Sequence, residues 1–276
     1  MRTTIKVISI IAIIASIVWI GFYVSDLVES KNTTEEIREL YSKLPVESST
    51  PEPSSSPSPE PSLVPETSEE PVENEPAEEE VPVDTTGYVI ELRRNPNSEL
   101  LAINHDFTGW IKVGGTAVDY PIVKHSDNDY YLDKDFYGNE NIAGSIYMDY
   151  RNFGNELDGN IILYGHNMKN GTMFNSLNDY KDREFFDENT TITFSNLYNT
   201  YEYEIFSVYW VSANDYELKV DFKNSDLKEY YEELSEKSLF QRKIDIDDIT
   251  QIITLATCSY EVDNGRLMIH GILKSN

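Results

Sequence analysis

The hydrophobic pattern divides the chain into three kinds of material. Val7 to Val24 is an uncharged run of 18 residues, mostly Ile, Val and Ala. That is about the minimum for a helix that crosses a bilayer. Trp19, Phe22 and Tyr23 crowd its far end, where amphipathic rings favour a membrane interface. Arg2 and Lys6 precede the run, and Asp26 and Glu29 follow it. The positive-inside rule then puts residues 1–6 in the cytoplasm and everything after residue 25 outside. No small-x-small cleavage site follows, which favours an uncleaved anchor over a signal peptide. The expected layout is an anchor at 7–24 and a juxtamembrane segment at 25–44. There Ile37, Leu40, Tyr41 and Leu44 recur at helical spacing, with Glu35 and Glu36 in the first turn, which fits either a short separate helix or a solvated extension of the anchor.

Pro45 to Thr86 has no periodicity. It holds 10 of the 12 prolines, 12 Asp or Glu, no Lys or Arg and no aromatic residue. Such a stretch buries too little surface to offset its chain entropy. It reads as a self-repelling linker with polyproline II segments, a spacer holding a domain away from the membrane.

From Gly87 to residue 276 the pattern is that of a folded domain. Tyr88–Arg94 and Ser98–Ile103 read as short helices. Strands follow at 110–113 and 117–123 around a Gly114-Gly115 turn, then at 145–148, 160–164, 191–194 and the long alternating run 201–211. One helix interrupts them. Asn224 or Ser225 is its cap, and Leu227, Tyr231, Leu234 and Leu239 form its apolar face. The apolar runs Ile252–Leu255 and Leu267–Leu273 close the chain as an antiparallel hairpin, with Asp263-Asn264-Gly265 supplying turn chemistry. Many strands with few helices predict a mainly β domain, a barrel or a sandwich.

Charge and cysteine content narrow the function. A net charge of -27 excludes a nucleic-acid binder, which needs a basic face. A single cysteine, Cys258, excludes an intrachain disulfide and a multi-cysteine metal site, and neither a metal nor an organic cofactor is expected. A hairpin centred near Val262 sets Cys258 opposite Arg266, with Cβ atoms roughly 5 Å apart. A guanidinium there favours a thiolate and can hold an oxyanion. The same register gives one core face, Ile253, Leu255, Thr257, Leu267 and Ile269. The other face carries Thr254, Ala256, Cys258, Arg266, Met268 and His270, and small Ala256 leaves room there for a ligand. A thiolate nucleophile also needs a proton carrier. Among four histidines, His166 opens a loop at a strand end, where scaffolds present catalytic groups. His105 and His125 read as exposed loop residues. His270 lies four positions from Arg266, roughly 13 Å along the strand, too far for direct transfer.

Thr254-Leu255-Ala256-Thr257-Cys258 resembles the TLxTC motif of sortases, the cysteine transpeptidases of Gram-positive surfaces, and Arg266 matches their downstream arginine. Tyr164-Gly165-His166-Asn167-Met168, Asp106–Ile111, Asp119–Val123, Asn128-x-Tyr130-Tyr131-Leu132 and Gly144–Asp149 are similar to segments of class B sortases. Ala256 stands where class B often has Ser. The resemblance implies a closed eight-stranded barrel with N-terminal helices and a helix between the sixth and seventh strands. It implies catalysis by His166, Cys258 and Arg266, and substrate contacts from Asn167, Ala256, Thr257, Ser259 and Tyr260. The implied reaction cleaves a C-terminal sorting motif of a secreted protein after Thr and passes the acyl group, through a thioester, to a peptidoglycan amine. Two other readings stay open: a wall-anchored binding domain with a degenerate site, and an extracellular cysteine peptidase. Convergence of the three side chains on one groove separates the first from an enzyme, and the fate of the product separates the second.

Overall fold

The computed structural model describes residues 2–43, 97–212, 214–215, 217–222, 226–242, 244, 249–259 and 264–274. The linker 45–86 and the helix expected at 88–94 lie outside the described residues, as do Asn224 and Ser225.

Eight strands form a closed barrel. They are β1 (Phe107–Val113), β2 (Asp119–Val123), β3 (Ile146–Met148), β4 (Asn160–Tyr164), β5 (Thr191–Asn196), β6 (Thr200–Ser212), β7 (Ile252–Ser259) and β8 (Gly265–Leu273). Their order around the barrel is β1-β2-β3-β4-β7-β8-β6-β5. The β2–β3 and β4–β7 pairs are parallel and the others antiparallel. All eight expected strands are present with small shifts at their ends. The β1–β2 turn uses Gly115 at φ +73°, where a Cβ would run into the Asn189 side chain.

The barrel interior packs Ile111, Ile161, Leu163, Ile192, Phe194, Ile253, Leu255, Leu267 and Ile269. The opposite faces of β4, β6, β7 and β8 are also buried. Ile162, Phe206, Ile252, Ala256, Met268 and Ile272 pack beneath α4 (Asp226–Lys237) and the Leu218–Val220 segment. This corrects the expectation of room beside Ala256, which is 2% exposed. It also explains why β4 and β7 read as continuous apolar runs, since strands covered on both faces lose alternation. On α4 the deeply buried ring is Tyr230, not Tyr231. Leu227, Tyr230 and Leu234 share the inward stripe, while Tyr231 lies half-buried against Phe206. Leu239 falls beyond the helix end.

Between β4 and β5 the chain adds a 3-10 turn (Asn175–Lys181) and α3 (Arg183–Glu188), neither expected from the sequence. Both are too short for a periodic signal, yet Leu177, Tyr180 and Phe186 extend the interior core. Asp182 caps α3 by accepting from the Phe185 N–H at 3.0 Å.

At the N-terminus one helix, α1 (Arg2–Ser42), runs through both the anchor and the juxtamembrane segment, so the second is an extension of the first. Residues 25–32 contain no Pro or Gly, so nothing interrupts it. Its first half is long and apolar enough to cross a membrane, with Ile8 to Phe22 exposed. Its second half packs on the barrel, which adds to the expected 87–276 domain a piece from before the linker. Ile37 is fully buried with Leu100 of α2 (Ser98–Ile103), Trp110, Tyr131 and Phe136. Tyr41 stacks on Trp110 with centroids 4.0 Å apart and 7° between planes. Arg38 donates to the Asp119 carbonyl from Nη2 at 2.9 Å and from Nε at 3.3 Å.

In a soluble chain starting at residue 26, Ile37→Ala should therefore cost about 2–5 kcal/mol, the usual range for emptying a buried aliphatic site. At about 2–4 °C per kcal/mol for a domain of this size, the melting temperature should fall by roughly 4–20 °C. An unchanged melting curve would show that α1 does not pack as described.

Candidate active site

β7 lies between β4, which runs parallel to it, and β8, which runs antiparallel. The carboxyl ends of β4 and β7 and the amino end of β8 therefore meet at one rim of the barrel. In the β7–β8 ladder Cys258 pairs with Arg266, the register expected from the sequence. In the β4–β7 ladder Tyr164 pairs with Ala256, and the Gly165 N–H donates to the Ala256 carbonyl at 3.2 Å. His166 is two residues past Tyr164, and Cys258 is two past Ala256. The parallel register thus brings His166 level with Cys258 one strand away, where neighbouring strands are about 4.8 Å apart. His166, just past the end of β4, lies at the same rim as Cys258 on β7 and Arg266 on β8.

The histidine loop is held firmly. Gly165 is required because a Cβ there would lie 2.4 Å from Ile146 Cδ1 and 2.8 Å from the Phe174 ring. Met168 and Met173 insert into the core, and the His166 carbonyl accepts from the Phe174 N–H at 2.9 Å. The half-buried His166 ring places Nε2 2.7 Å from the Leu132 carbonyl. A carbonyl only accepts, so Nε2 carries the proton and Nδ1 is the nitrogen left to gain or lose one. Half-buried Arg266 donates from Nη1 to the Gly265 carbonyl at 3.0 Å, which keeps its guanidinium near the head of β8.

Beneath this rim is a polar knot. Asp149 is fully buried and accepts from Arg151 Nε at 2.8 Å and Nη2 at 2.9 Å, from Tyr164 Oη at 2.9 Å and from Asn128 Nδ2 at 3.1 Å. Burial pushes its pKa up, but Arg151 and the other donors outweigh burial and hold the carboxyl below its ordinary range. Arg151 also donates to the Leu218 carbonyl at 3.3 Å.

The other residues singled out in the sequence fall in varied places. Asn167 is buried, and its Oδ1 accepts from Asn175 at 2.7 Å and Asn178 at 3.0 Å, which braces the loop. Thr257 is buried, and its hydroxyl has no partner among the described residues. Ser259 ends β7 opposite Gly265. The Cys258 and Ser259 side chains and all of Tyr260 lie outside the described residues. His105 is exposed, whereas His125 is half-buried and stacked on Tyr130 at 4.2 Å. Residue types and spacing gave no role to the Leu132 carbonyl or to Asp149. The first is a backbone group that any side chain would leave in place. The only available signal for the second was an acid directly following an apolar strand.

The Sortase domain family model matches residues 111–274. Sortase B of Listeria monocytogenes is 37% identical over 183 residues, which are 65% of this chain and 74% of that protein. Sortase B of Staphylococcus aureus is 35% identical over 170 residues, covering 60% and 70%. Among solved structures, sortase B from B. anthracis in complex with AAEK1 is similar with a TM-score of 0.68 and 32% identity, over 91% of this chain and 99% of that one.

His270 shows what the rim row is not. It is fully buried, its Nδ1 is 2.9 Å from Thr254 Oγ1, and it stacks on Tyr209 at 5.4 Å. Thr254 gives its own proton to Asn160 Oδ1 at 2.8 Å, so His270 Nδ1 is the donor and Nε2 is a bare acceptor without a partner among the described residues. Charging Nε2 would bury an unpaired cation. Burial, with a smaller contribution from Lys237, therefore lowers the pKa from 6.5 to about 3. A histidine with a depressed folded-state pKa contributes stability that is complete above about pH 6.5 and lost as the pH falls toward 3. From pH 7 to pH 5 the native chain should lose about 2 kcal/mol more than His270→Gln does. Denaturant unfolding of both proteins at the two pH values measures this. Equal losses would show that His270 is not held neutral.

Proposed function

The chain belongs to the sortase family, in its class B, and from that premise we propose that it is a membrane-anchored cysteine transpeptidase acting on the outer face of the cell membrane. The observation that supports the reading is the Cys258–Arg266 pairing in the β7–β8 ladder, at the rim where β4 ends two residues before His166.

The substrate is a secreted protein with a C-terminal sorting motif. The Cys258 thiolate attacks the carbonyl carbon of the motif's Thr, and the oxyanion that forms is stabilised by Arg266. As the C–N bond breaks, His166 Nδ1–H protonates the departing amine, leaving a thioester on Cys258. His166 then takes a proton from the incoming cell-wall amine. That nitrogen attacks the thioester carbonyl, a new amide forms, and the thiolate leaves. The nucleophile is the thiolate, not the thiol. A cation opposite the cysteine therefore raises the competent fraction. The Leu132 carbonyl suits this cycle. It accepts from Nε2 in both charge states of the ring, so the ring keeps its orientation while Nδ1 exchanges its proton.

Orientation follows the charged flanks of the apolar run, with residues 1–6 inside and the barrel outside. A non-catalytic wall-binding domain would give no acyl-enzyme. A cysteine peptidase would form one and release it to water even when amine is abundant.

The test is single-turnover trapping of the thioester with candidate sorting peptides, read by mass spectrometry, with a melting curve for each variant. Cys258→Ala should abolish acylation, because the chain has no other thiol. His166→Ala should be nearly as damaging. Arg266→Lys keeps the charge but loses the planar fork, and should cost on the order of 100- to 1000-fold in rate. His270→Ala should lose activity only in proportion to stability. Normal acylation by a well-folded His166→Ala would overturn the assignment.

A further inference from the structure

We propose that α1 is a strut that seats the barrel directly on the outer lipid surface, with the 139–143 loop at the headgroups, so that the height of the barrel is set by α1 and not by the segment between Lys43 and Asn97. This rests on the reading that the first half of α1 spans the membrane.

Three observations carry it. The first is continuity. The uncharged run ends at Val24, and α1 continues unbroken to Ser42. The first barrel contact comes at Asp26, whose carbonyl accepts from Asn141 Nδ2 at 3.5 Å, and Leu27 already packs against the interior core. At 1.5 Å per residue, only about 3 Å of helix separates the span from the barrel. A helix that docks this early leaves no room for a gap.

The second is the extent of the docking. Ser30, Ile37, Arg38 and Tyr41 all engage the barrel, over roughly three turns of α1. A single contact would act as a swivel, whereas a line of contacts fixes the angle. At the membrane end of that line Ile142 is 44% exposed, beside Asn141. Lipid headgroups and upper acyl chains are the surroundings that suit such a side chain. Trp19 and Phe22, both exposed, mark the same interface on the helix itself.

The third is where the linker starts and ends. The chain leaves the described structure after Lys43 and returns at Asn97. Ile37 of α1 and Leu100 of α2 share one cluster, so both ends of 44–96 join the same corner of the barrel. A segment that leaves and returns at one place cannot set the height of the barrel, whatever its length or stiffness. The strut also reaches the active site. Ala143 leads to Gly144, whose position has no room for a Cβ because the Leu132 carbonyl would lie 2.4 Å from it. That carbonyl is the one holding His166.

The experiment uses the full chain with Cys258→Ser, so that one introduced thiol carries a donor dye. It is reconstituted in phosphatidylcholine–phosphatidylglycerol vesicles containing a headgroup-labelled acceptor lipid. One label is at Ile142→Cys. The other is at Tyr198→Cys, an exposed turn beside Leu197, which packs with the far end of α1. That end is roughly 22 Å further along the helix. Transfer should be several-fold stronger at position 142 than at 198. Neither value should change when 45–94 is replaced by a short Gly-Ser segment. Ile37→Asp, which expels α1 from its seat, should abolish the difference between the labels. Co-flotation with the vesicles reports separately on anchoring. If the chain does not float, the spanning reading falls and the strut with it. If it floats but the two labels transfer equally, if shortening the linker raises both, or if the difference survives Ile37→Asp, the strut alone is overturned.

Discussion

The structure depends on β7 being central. It is paired on one side by β4 in parallel and on the other by β8 in antiparallel, and covered on both faces by apolar side chains. A strand so enclosed cannot slip, because a one-residue shift would move its whole set of side chains to the wrong layer. Two ladders with different geometry then fix two different neighbours of the same residue. The hairpin sets Arg266 opposite Cys258, and the parallel pair sets His166 level with it. Three residues scattered over a hundred positions are thereby brought to one rim by backbone pairing. Their relative placement is a property of the backbone, which is the kind of preorganisation the proposed catalysis needs.

The β7–β8 register was legible because two signals agreed. Two apolar runs flank turn residues, and Asn264 takes the positive φ of 49° that such a turn favours. The number and order of strands were legible as texture, but composition and alternation left barrel and sandwich open. Only the resemblance to class B sortases specified closure at eight strands. The double burial of β7 was not legible as such. An apolar run such as Ile252-Ile253-Thr254-Leu255 suits a strand covered on both faces, but nothing within it says which distant segment covers the second face. Here that segment is α4 with Leu218 and Val220, thirty or so positions away. The placement of Tyr230 rather than Tyr231 has the same origin, since neighbouring tyrosines compete for one stripe and only the packed partner decides. The unbroken α1 was left open for a different reason. The change from apolar to charged residues at Asp26 marks a change of surroundings, not of backbone conformation.

The histidines show how little residue type says about role. His166 and His270 both follow apolar strand segments, and both hold one ring nitrogen in a hydrogen bond. The difference lies at the second nitrogen. In His270 it is sealed among apolar groups, so the ring stays neutral over most of the pH range. In His166 the bonded nitrogen is Nε2, and the half-buried ring stands at the rim rather than inside the core.

Asp149 raises the question of why a fully buried carboxylate lies beneath the rim. As a source of stability it is a poor choice, since desolvating an ion pair offsets most of its attraction and apolar replacements of similar volume are often as stable. What an apolar cluster cannot do is hold several directions at once. Asp149 accepts from Asn128 before the Tyr130–Leu132 segment, from Tyr164 at the end of β4, and from Arg151, which reaches the Leu218 carbonyl. The Leu132 carbonyl orients His166, Tyr164 precedes it by two residues, and Leu218 belongs to the cover over β7. Each hydrogen bond has a required angle, so together they fix the relation among three segments that apolar contact would leave free to slide. The carboxylate accordingly serves geometry more than stability, one layer below the residues that the sequence motif makes visible.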